Sequence, residues 1–321
     1  MQDTAKKSPG NALEALRGHS VVVADTGEFE AIRAFAPTDA TTNPTLVLAA
    51  AKLPEYEGLV ADAVAHGRAA SGDRAAAAAS RLMTLFGREI VGVVPRYVST
   101  EVDARLSFDT AGTVAQAYRL LAAYDELGVD RDRILIKIAS TWEGLRAARV
   151  LESQGVRCNL TLMFSPVQAA AACDAGATLI SPFVGRITDW YKAHEGVEAY
   201  APEADPGVLS VRRIHGYVKA YGYPTQVMAA SFRNRDQILA LAGCDLLTIS
   251  PKLLDELAGL SGPVPRRLPD AGAEPARMRT DEAAFRRALN DDAMATEKLA
   301  EGIRRFAADQ EALEAMLAAQ L

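Results

Sequence analysis

The chain has 321 residues, of which 49% are hydrophobic and 24% are charged, and its net charge is −6 at pH 7. This length is enough for one large α/β unit or two smaller ones. The acidic balance argues against a nucleic-acid partner, because no run of Lys and Arg exists to neutralise a phosphate backbone. The first twenty residues are polar and no apolar stretch has the length of a membrane span, so we expect a cytoplasmic protein with no signal peptide and no membrane partner.

Cysteine and histidine are too dispersed to predict a metal site. The cysteines are odd in number and form no CxxC pair, and the four histidines show no HxxxH spacing. Isolated cysteines of this kind are typical of small core residues in a reducing compartment. We therefore expect no metal and buried, inert thiols, including Cys158.

Short β-rich runs alternate with helical segments along the chain. Gly often marks the end of a helical segment, as in Leu127-Gly128. The predicted helices include Thr113–Glu126, Glu143–Gln154, Pro166–Ala175 and a helix of small residues over Ala69–Ser80. The eight predicted strands are Ser20–Asp25, Ala40–Asn43, Ile90–Val94 continuing to Glu101, Arg133–Ser140, Arg157–Leu162, Ala177–Phe183, Thr225–Ser231 and Asp245–Ser250.

This alternation with short connections predicts a parallel sheet. Eight units within about 250 residues, and no GxGxxG after the first strand, favour an α/β fold of the closed (β/α)8 TIM-barrel type. A doubly wound sheet remains the alternative, because one sequence does not reveal strand order.

Two segments interrupt the alternation of predicted strands and helices, Ile187–Gly207 and the proline-rich Gly262–Thr280. Beyond them the chain is predicted to be helical, with an apolar stripe that includes Leu299, Ile303 and Phe306. We expect this stripe to pack against the barrel or a second subunit. The predicted organisation is one barrel domain over residues 1–321, with 281–321 as a C-terminal helical extension that packs on the barrel.

Lys137 lies in a run that is apolar on both faces, Ile134–Ala139. No acidic residue stands within three positions to pair with it. Burial of an ammonium lowers its pKa and leaves a nucleophilic amine, which is suited to form an imine with a carbonyl. A lysine that reaches solvent from the strand end is the competing interpretation.

Polar side chains recur at the carboxyl ends of the predicted strands. Residues i and i+2 of a strand share a face, and in a barrel these ends converge on one mouth, where the chemistry takes place. Each residue alone has a structural explanation, such as a helix cap at Asp25 or a turn at Asn43-Pro44. Their joint recurrence favours a site formed by Asp25, Thr41, Asn43, Ser99, Glu101, Lys137, Asn159, Thr161, Ser181, Phe183, Ser231 and Arg233.

These residue types suit carbonyl chemistry on a sugar. Asp25 and Glu101 are the carboxyls available to shuttle protons as a carbinolamine becomes an imine. Thr161 is suited to hold a water beside Glu101, and Asn43 and Asn159 to bind sugar hydroxyls.

Two arginines point to a phosphorylated substrate. Arg186 and Arg233 carry fork-shaped donors that match a phosphate, and Ser231 stands beside the second. Surface salt bridges explain the two arginines equally well on the local sequence alone.

Several motifs together resemble the transaldolase family in its full-length bacterial and eukaryotic form. The similarity extends from about residue 10 to the C-terminus and includes Asp291–Ala295. The motifs are Ala24–Gly27, Asp39–Leu46, Val98–Arg105, Ile134–Gly144, Cys158–Leu162 and Ile180–Ile187.

The resemblance implies a barrel enzyme of the pentose phosphate pathway, with no cofactor, a class I aldol mechanism and a homodimeric state. It places the Schiff base on Lys137, acid/base catalysis of carbon–carbon cleavage on Asp25, and the catalytic water on Glu101 with Thr161. The dihydroxyacetone moiety would be bound by Asn43, Asn159 and Ser181, and the phosphate by Arg186, Ser231 and Arg233.

The resemblance also bears on the outcome of the reaction. Related sugar-phosphate aldolases tend to carry Tyr where this chain has Phe183, and Gln where it has Glu101, which favours transfer over simple aldol cleavage. The alternatives are an aldolase that releases free dihydroxyacetone, a metal-dependent barrel enzyme, and a sugar-phosphate-binding protein without catalysis.

Overall fold

Eight parallel strands close into a barrel in the computed structural model, which describes residues 10–269 and 276–321. Each strand pairs with the next along the chain, and the first also pairs with the last. This confirms the predicted (β/α)8 class over the doubly wound alternative. The strands are β1 Val21–Asp25, β2 Asp39–Thr41, β3 Val98–Glu101, β4 Ile134–Ala139, β5 Cys158–Met163, β6 Leu179–Pro182, β7 Gln226–Ala229 and β8 Leu246–Ile249.

The helices lie between and beyond the strands, and many begin at a side-chain cap. Asp109, Thr141 and Asp205, for example, accept hydrogen bonds from backbone N–H groups of the following turn, which satisfies donors that have no partner inside the helix. The helices are α1 Ala12–Arg17, α2 Phe29–Phe35, α3 Pro44–Ala50, α4 Glu57–Ala69, α5 Arg74–Val91, α6 Thr110–Glu126, α7 Trp142–Ser153, α8 Pro166–Asp174, α9 Gly185–Glu195, α10 Pro206–Ala220, α11 Arg235–Ala240, α12 Pro251–Ala258, α13 Glu282–Asp291 and α14 Ala293–Ala318.

The interior of the barrel is filled with side chains below the mouth. One apolar cluster of the interior is contributed by five strands, β1, β4, β6, β7 and β8. It consists of Val23, Leu135, Leu179, Met228 and Leu246. A larger apolar shell lies between the outer faces of the strands and the helices, so that strands such as β4 are buried on both faces.

The last helix packs across the barrel through its apolar stripe. Leu299, Ile303 and Phe306 are buried against barrel residues, and Leu313 and Leu317 pack with α4 and α5. No helix within residues 10–269 and 276–321 is long and apolar enough to cross a membrane.

The prediction of a strand over Ile90–Val94 is wrong. This part of the chain continues α5 through Val91, and β3 begins only at Val98. Ile90 completes a buried helical stripe with Leu82 and Phe86. The helical period of that stripe prevails over the β propensity of the local residues.

Two predicted boundaries are also wrong. Ala69–Ser80 is not one helix, because α4 ends at Ala69 and α5 starts at Arg74 with Asp73 as its cap. The first part of the predicted interruption over Ile187–Gly207, residues 187–195, belongs to α9, whose C-terminal cap Gly196 adopts the left-handed conformation (φ 67°). The second interruption, Gly262–Thr280, lies partly outside the described residues.

Candidate active site

A cavity of about 270 Å³ opens at the carboxyl ends of the strands. Ten of the thirteen predicted site residues line it, and the other three, Ser99, Glu101 and Asn159, lie behind its wall in contact with Lys137, with Ser181 or with each other. The structure therefore brings the predicted set together at one mouth. The ten are Asp25, Thr41, Asn43, Lys137, Thr161, Ser181, Phe183, Arg186, Ser231 and Arg233.

Lys137 is 5% exposed and points into this cavity. Its Nζ lies 3.0 Å from Oε2 of Glu101 and donates a hydrogen bond of 3.2 Å to the carbonyl oxygen of Thr42. The pairing follows from register, because Glu101 and Lys137 are partners on β3 and β4. The competing interpretation of a solvent-exposed lysine is thus wrong, and the amine has an acidic partner on the adjacent strand.

Two carboxyl groups flank the amine. Desolvation by burial raises the pKa of Glu101, and the positive charge of Lys137 opposes that shift. Burial likewise raises the pKa of Asp25, opposed by Lys137 and by a hydrogen bond of 3.1 Å from the Thr41 hydroxyl. Both acids are therefore biased towards holding a proton, which is the condition that proton shuttles near neutral pH require.

Asn159 is the centre of a buried polar row below the cavity. Its Nδ2 donates to Ser99 Oγ at 3.0 Å, and its Oδ1 accepts from Ser181 Oγ at 2.7 Å. With its amide oriented from both sides, Asn159 holds Ser181 at the cavity wall. Ser99, a residue that the strand pattern also selected, thus supports the site from behind.

Thr161 lies just before a bulge in β5. The register with β6 shifts between Leu160 and Met163, and Leu162 adopts a φ of 51°. A bulge of this kind redirects the neighbouring side chains. The Thr161 hydroxyl lines the cavity, and its buried Oγ1 finds no hydrogen-bond partner among the described residues.

The wall on the other side of Lys137 comes from β2, β8 and the start of α3. The Thr41 hydroxyl that donates to Asp25 also lies 3.1 Å from the Thr248 hydroxyl. Asn43 caps α3 by accepting a hydrogen bond of 2.9 Å from the N–H of Leu46 while it lines the cavity. The structural and the functional interpretation of Asn43 are therefore compatible.

Arg186 stands in the first turn of α9 at the other end of the cavity. Its guanidinium carbon lies 5.0 Å from the ring centre of Phe183 and 5.5 Å from that of Phe306, within the range of cation–π attraction. Burial, followed by the charges of Arg305 and Arg233, lowers the pKa of Arg186. Among the described residues it forms no salt bridge, so its charge is available to a ligand.

Ser231 and Arg233 follow β7 in a strained turn. Ser231 has a φ of 63°, which is uncommon outside glycine, and its carbonyl oxygen accepts from the N–H of Gly185 at 2.8 Å. Arg233 forms a salt bridge with Asp189 at 2.8 Å. The predicted salt-bridge interpretation thus holds for Arg233, although its side chain still lines the cavity.

Six further residues line the cavity that the sequence pattern did not single out. Thr248 and Ser250 lie at the end of β8, where the rule used for the other strands would have selected them. Phe306 comes from α14, and its ring centre lies 5.9 Å from the Nζ of Lys137. The complete set is Met228, Ala230, Phe232, Thr248, Ser250 and Phe306.

Metal ligands do not gather at this mouth or elsewhere in residues 10–269 and 276–321, where no group of three or more His, Cys, Asp or Glu side chains is arranged to hold an ion. The three cysteines are buried free thiols. Burial raises the pKa of Cys158 well above its usual value, which disfavours the reactive thiolate.

The family model for transaldolase/fructose-6-phosphate aldolase matches residues 22–317 of the chain. The chain is 56% identical over 315 residues to a transaldolase of Alteromonas mediterranea, covering 97% of this chain and 99% of that protein. Transaldolases of Actinobacillus succinogenes and Haemophilus influenzae are both 55% identical to it, each with 96% of this chain and 99% of the relative covered. The chain therefore belongs to the transaldolase/fructose-6-phosphate aldolase family and is a transferase enzyme.

Proposed function

We propose that the enzyme transfers a three-carbon dihydroxyacetone unit between sugar phosphates through a Schiff base on Lys137. The donor is sedoheptulose 7-phosphate or fructose 6-phosphate, and the acceptor is glyceraldehyde 3-phosphate or erythrose 4-phosphate, as in the pentose phosphate pathway. The observation that carries the proposal is a buried amine flanked by two carboxyl groups at one end of the cavity, with two arginines at the other.

The first step joins the substrate to the enzyme. Glu101 takes a proton from the Lys137 ammonium, and the free amine attacks the ketose carbonyl to give a carbinolamine. Glu101 returns its proton to the carbinolamine hydroxyl, which leaves as water and gives a protonated imine. The unpartnered hydroxyl of Thr161 supports a water position beside Glu101, because a buried polar atom without a partner is costly unless a water or a substrate group satisfies it.

Carbon–carbon cleavage follows from the imine. Asp25 accepts the proton of the hydroxyl on the fourth carbon as the bond between the third and fourth carbons breaks. The bonding electrons move into the imine and form an enamine, and an aldose phosphate leaves. Asp25 returns its proton to the alkoxide that forms when the enamine attacks the acceptor aldehyde. The raised pKa of Asp25 suits both directions of this transfer.

The two ends of the cavity are assigned to different parts of the substrate. Asn43, Asn159 and Ser181 bind the hydroxyls of the dihydroxyacetone unit, while Arg186, Ser231 and Arg233 bind the phosphate. Arg186 supports this assignment best, because it is a largely buried cation with no salt bridge among the described residues, and a dianionic phosphate would neutralise it.

A transfer assay tests the proposal. Glyceraldehyde 3-phosphate production from fructose 6-phosphate and erythrose 4-phosphate should persist in EDTA and disappear in Lys137→Ala, while inorganic phosphate still binds that variant. Lys219→Ala is the matched control, because Lys219 pairs with Asp245 at 2.7 Å and does not line the cavity. Turnover that survives in Lys137→Ala would overturn the mechanism, and loss in EDTA would favour the metal-dependent alternative.

A second assay separates transfer from aldol cleavage. Without an acceptor, the wild-type enzyme should release little free dihydroxyacetone, because protonation of a shielded enamine is slow. Glu101→Gln with Phe183→Tyr should raise that release. Rapid release by the wild type would identify an aldolase instead.

The remaining proposals concern the state of the protein. We expect a homodimer, which the mass of the protein in solution would test. The buried free thiols and the absence of a spanning helix among the described residues support a cytoplasmic location.

A further inference from the structure

Three buried polar side chains behind the phosphate end of the cavity form one hydrogen-bonded group, which we name the Asp205 network. It consists of Thr188 on α9, Asp205 before α10 and Gln237 on α11, each at most 5% exposed. The Thr188 hydroxyl donates to Asp205 Oδ1 at 2.7 Å. The amide nitrogen of Gln237 lies 2.8 Å from Asp205 Oδ2 and 3.0 Å from Thr188 Oγ1.

Asp205 is satisfied without a salt bridge among the described residues. Besides Thr188 and Gln237, it accepts from the N–H groups of Gly207 and Val208 at 2.8 and 3.2 Å, because it also caps α10. A Cβ on Gly207 would lie 2.1 Å from the carbonyl oxygen of Val184. The start of α10 is thus pressed against the start of α9.

The network reaches both arginines of the phosphate end through the backbone. Gln237 Oε1 accepts from the N–H of Arg233 at 2.8 Å. Thr188 stands two residues after Arg186 in the first turns of α9. One amide side chain therefore links the segment that carries Arg233 to the helix that carries Arg186.

Such a link opposes the repulsion between the two guanidinium groups, which carry like charges. After burial and the charge of Arg305, the charge of Arg233 contributes to lowering the pKa of Arg186. The segments are also connected by the backbone hydrogen bond from Gly185 to Ser231 and by the salt bridge of Arg233 with Asp189, whose side chains are 42% and 46% exposed. An ion pair so exposed contributes little stability, whereas buried and fully satisfied polar groups fix one arrangement.

We propose that Thr188, Asp205 and Gln237 are positioning residues that set the spacing of Arg186 and Arg233 and thereby the preference for phosphorylated substrates. The inference rests on the proposed function, since it concerns the phosphate end of the same cavity. None of the three lines the cavity, so they act through the two arginines and not on the substrate itself.

A reversal of hydrogen-bond polarity tests this role. In Asp205→Asn the Oδ1 still caps α10, but an NH2 group faces the NH2 of Gln237. In Gln237→Glu a carboxylate faces that of Asp205. The double variant restores one donor and one acceptor, with Asn donating to Glu, while Glu Oε1 still accepts from the N–H of Arg233. The charge of the network stays the same as in the wild type.

Two labelling rates are measured with borohydride, one with fructose 6-phosphate and one with dihydroxyacetone, which has no phosphate. Each single variant should raise the concentration of fructose 6-phosphate needed for half-maximal labelling about tenfold, since a buried polar contact is lost. Labelling with dihydroxyacetone should stay within about twofold of the wild type, because the amine end is intact. Inhibition by inorganic phosphate should weaken in parallel, and the double variant should recover both.

The outcomes separate the two proposals. A wild type that neither ketone labels would contradict the proposed function itself. The positioning role would be overturned if the wild type is labelled and each single variant weakens labelling by both ketones equally. It would also be overturned if the double variant unfolds at the wild-type temperature but does not recover its affinity for phosphate. If a single variant fails to fold, Thr188→Val serves instead, with a smaller loss of phosphate affinity and unchanged labelling by dihydroxyacetone expected.

Discussion

The two ends of the cavity are built differently. At the amine end, Glu101, Lys137 and Asn159 lie on neighbouring strands in one register row. At the phosphate end, Arg186 and Arg233 lie on a helix start and a loop, where a left-handed Ser231 and hydrogen bonds to side chains hold the backbone. Strand pairing fixes the first end, whereas packing between loops and helices fixes the second. The groups proposed to react thus lie on paired strands, whereas the arginines proposed to bind the phosphate lie on a helix start and a loop.

The largest effect that this comparison predicts is at Lys137. Lys137→Met should lower turnover by about 10⁴-fold or more, because no other described residue supplies an amine at the cavity. It should also lower the free energy of unfolding by about 3 kcal/mol, since Glu101 loses its buried partner. Chemical denaturation should show that Lys137→Met with Glu101→Gln recovers most of this stability and none of the activity. Equal stability of the two variants would mean that the ion pair does not stabilise the amine end.

The close packing of the phosphate end predicts a moderate effect at Gly185. A Cβ there would lie 2.3 Å from the carbonyl oxygen of Ser231. Gly185→Ala should therefore cost about 2 kcal/mol of stability and raise KM for fructose 6-phosphate more than it lowers kcat.

Gly216 provides the matched control for that substitution. It lies in α10, and nothing is within 4 Å of the Cβ that alanine would add. Gly216→Ala should leave KM unchanged and add about 0.5–1 kcal/mol to the free energy of unfolding. Thermal unfolding and steady-state kinetics check both variants, and an innocuous Gly185→Ala would show that the contact with Ser231 is not needed.

The smallest predicted effect is a shift in the pH dependence of kcat/KM when a residue at the amine end is replaced. Asp25 must be ionised to accept a proton, and burial raises its pKa, so kcat/KM should fall as the pH drops through that raised value. The Thr41 hydroxyl stabilises the carboxylate, and its removal in Thr41→Val should raise the pKa further. The acid limb should then move to higher pH by roughly half to one unit.

Thr248→Val tests whether the shift of the acid limb depends on the Thr41 hydroxyl, which donates a hydrogen bond to Asp25. Thr248 contacts Thr41 and makes no hydrogen bond to Asp25, so its loss should move the limb less. Profiles of kcat/KM against pH for the wild type, Thr41→Val and Thr248→Val compare the positions of the acid limb. A limb that stays in place in Thr41→Val would mean that Asp25 does not control it.

The contrast between the two ends also explains what the sequence could predict. Alternation along a strand has a period of two, and the carboxyl ends of barrel strands meet at one mouth. Lys137, Thr161 and Ser181 could therefore be selected from residue order alone. Thr248 and Ser250 carried the same signal at the end of β8.

Other parts depend on contacts that residue order does not encode. Phe306 belongs to an apolar helical stripe, and nothing local distinguishes the one member that reaches the cavity. Asp205 and Gln237 meet only because the fold brings the start of α10 and the residue on α11 to the same point beside Thr188 of α9. The false strand at Ile90–Val94 has the same origin, because its residues suit a strand locally and tertiary packing made them helical.

The proposed mechanism depends most on a covalent bond between Lys137 and the ketose. Fructose 6-phosphate and borohydride, followed by peptide mass mapping, test that bond directly. We predict a mass increase of one reduced sugar fragment on the peptide that contains Lys137, with loss of transfer activity in proportion to labelling. An inactivated enzyme whose label sits on another lysine, or an active enzyme that takes up no label, would contradict the account.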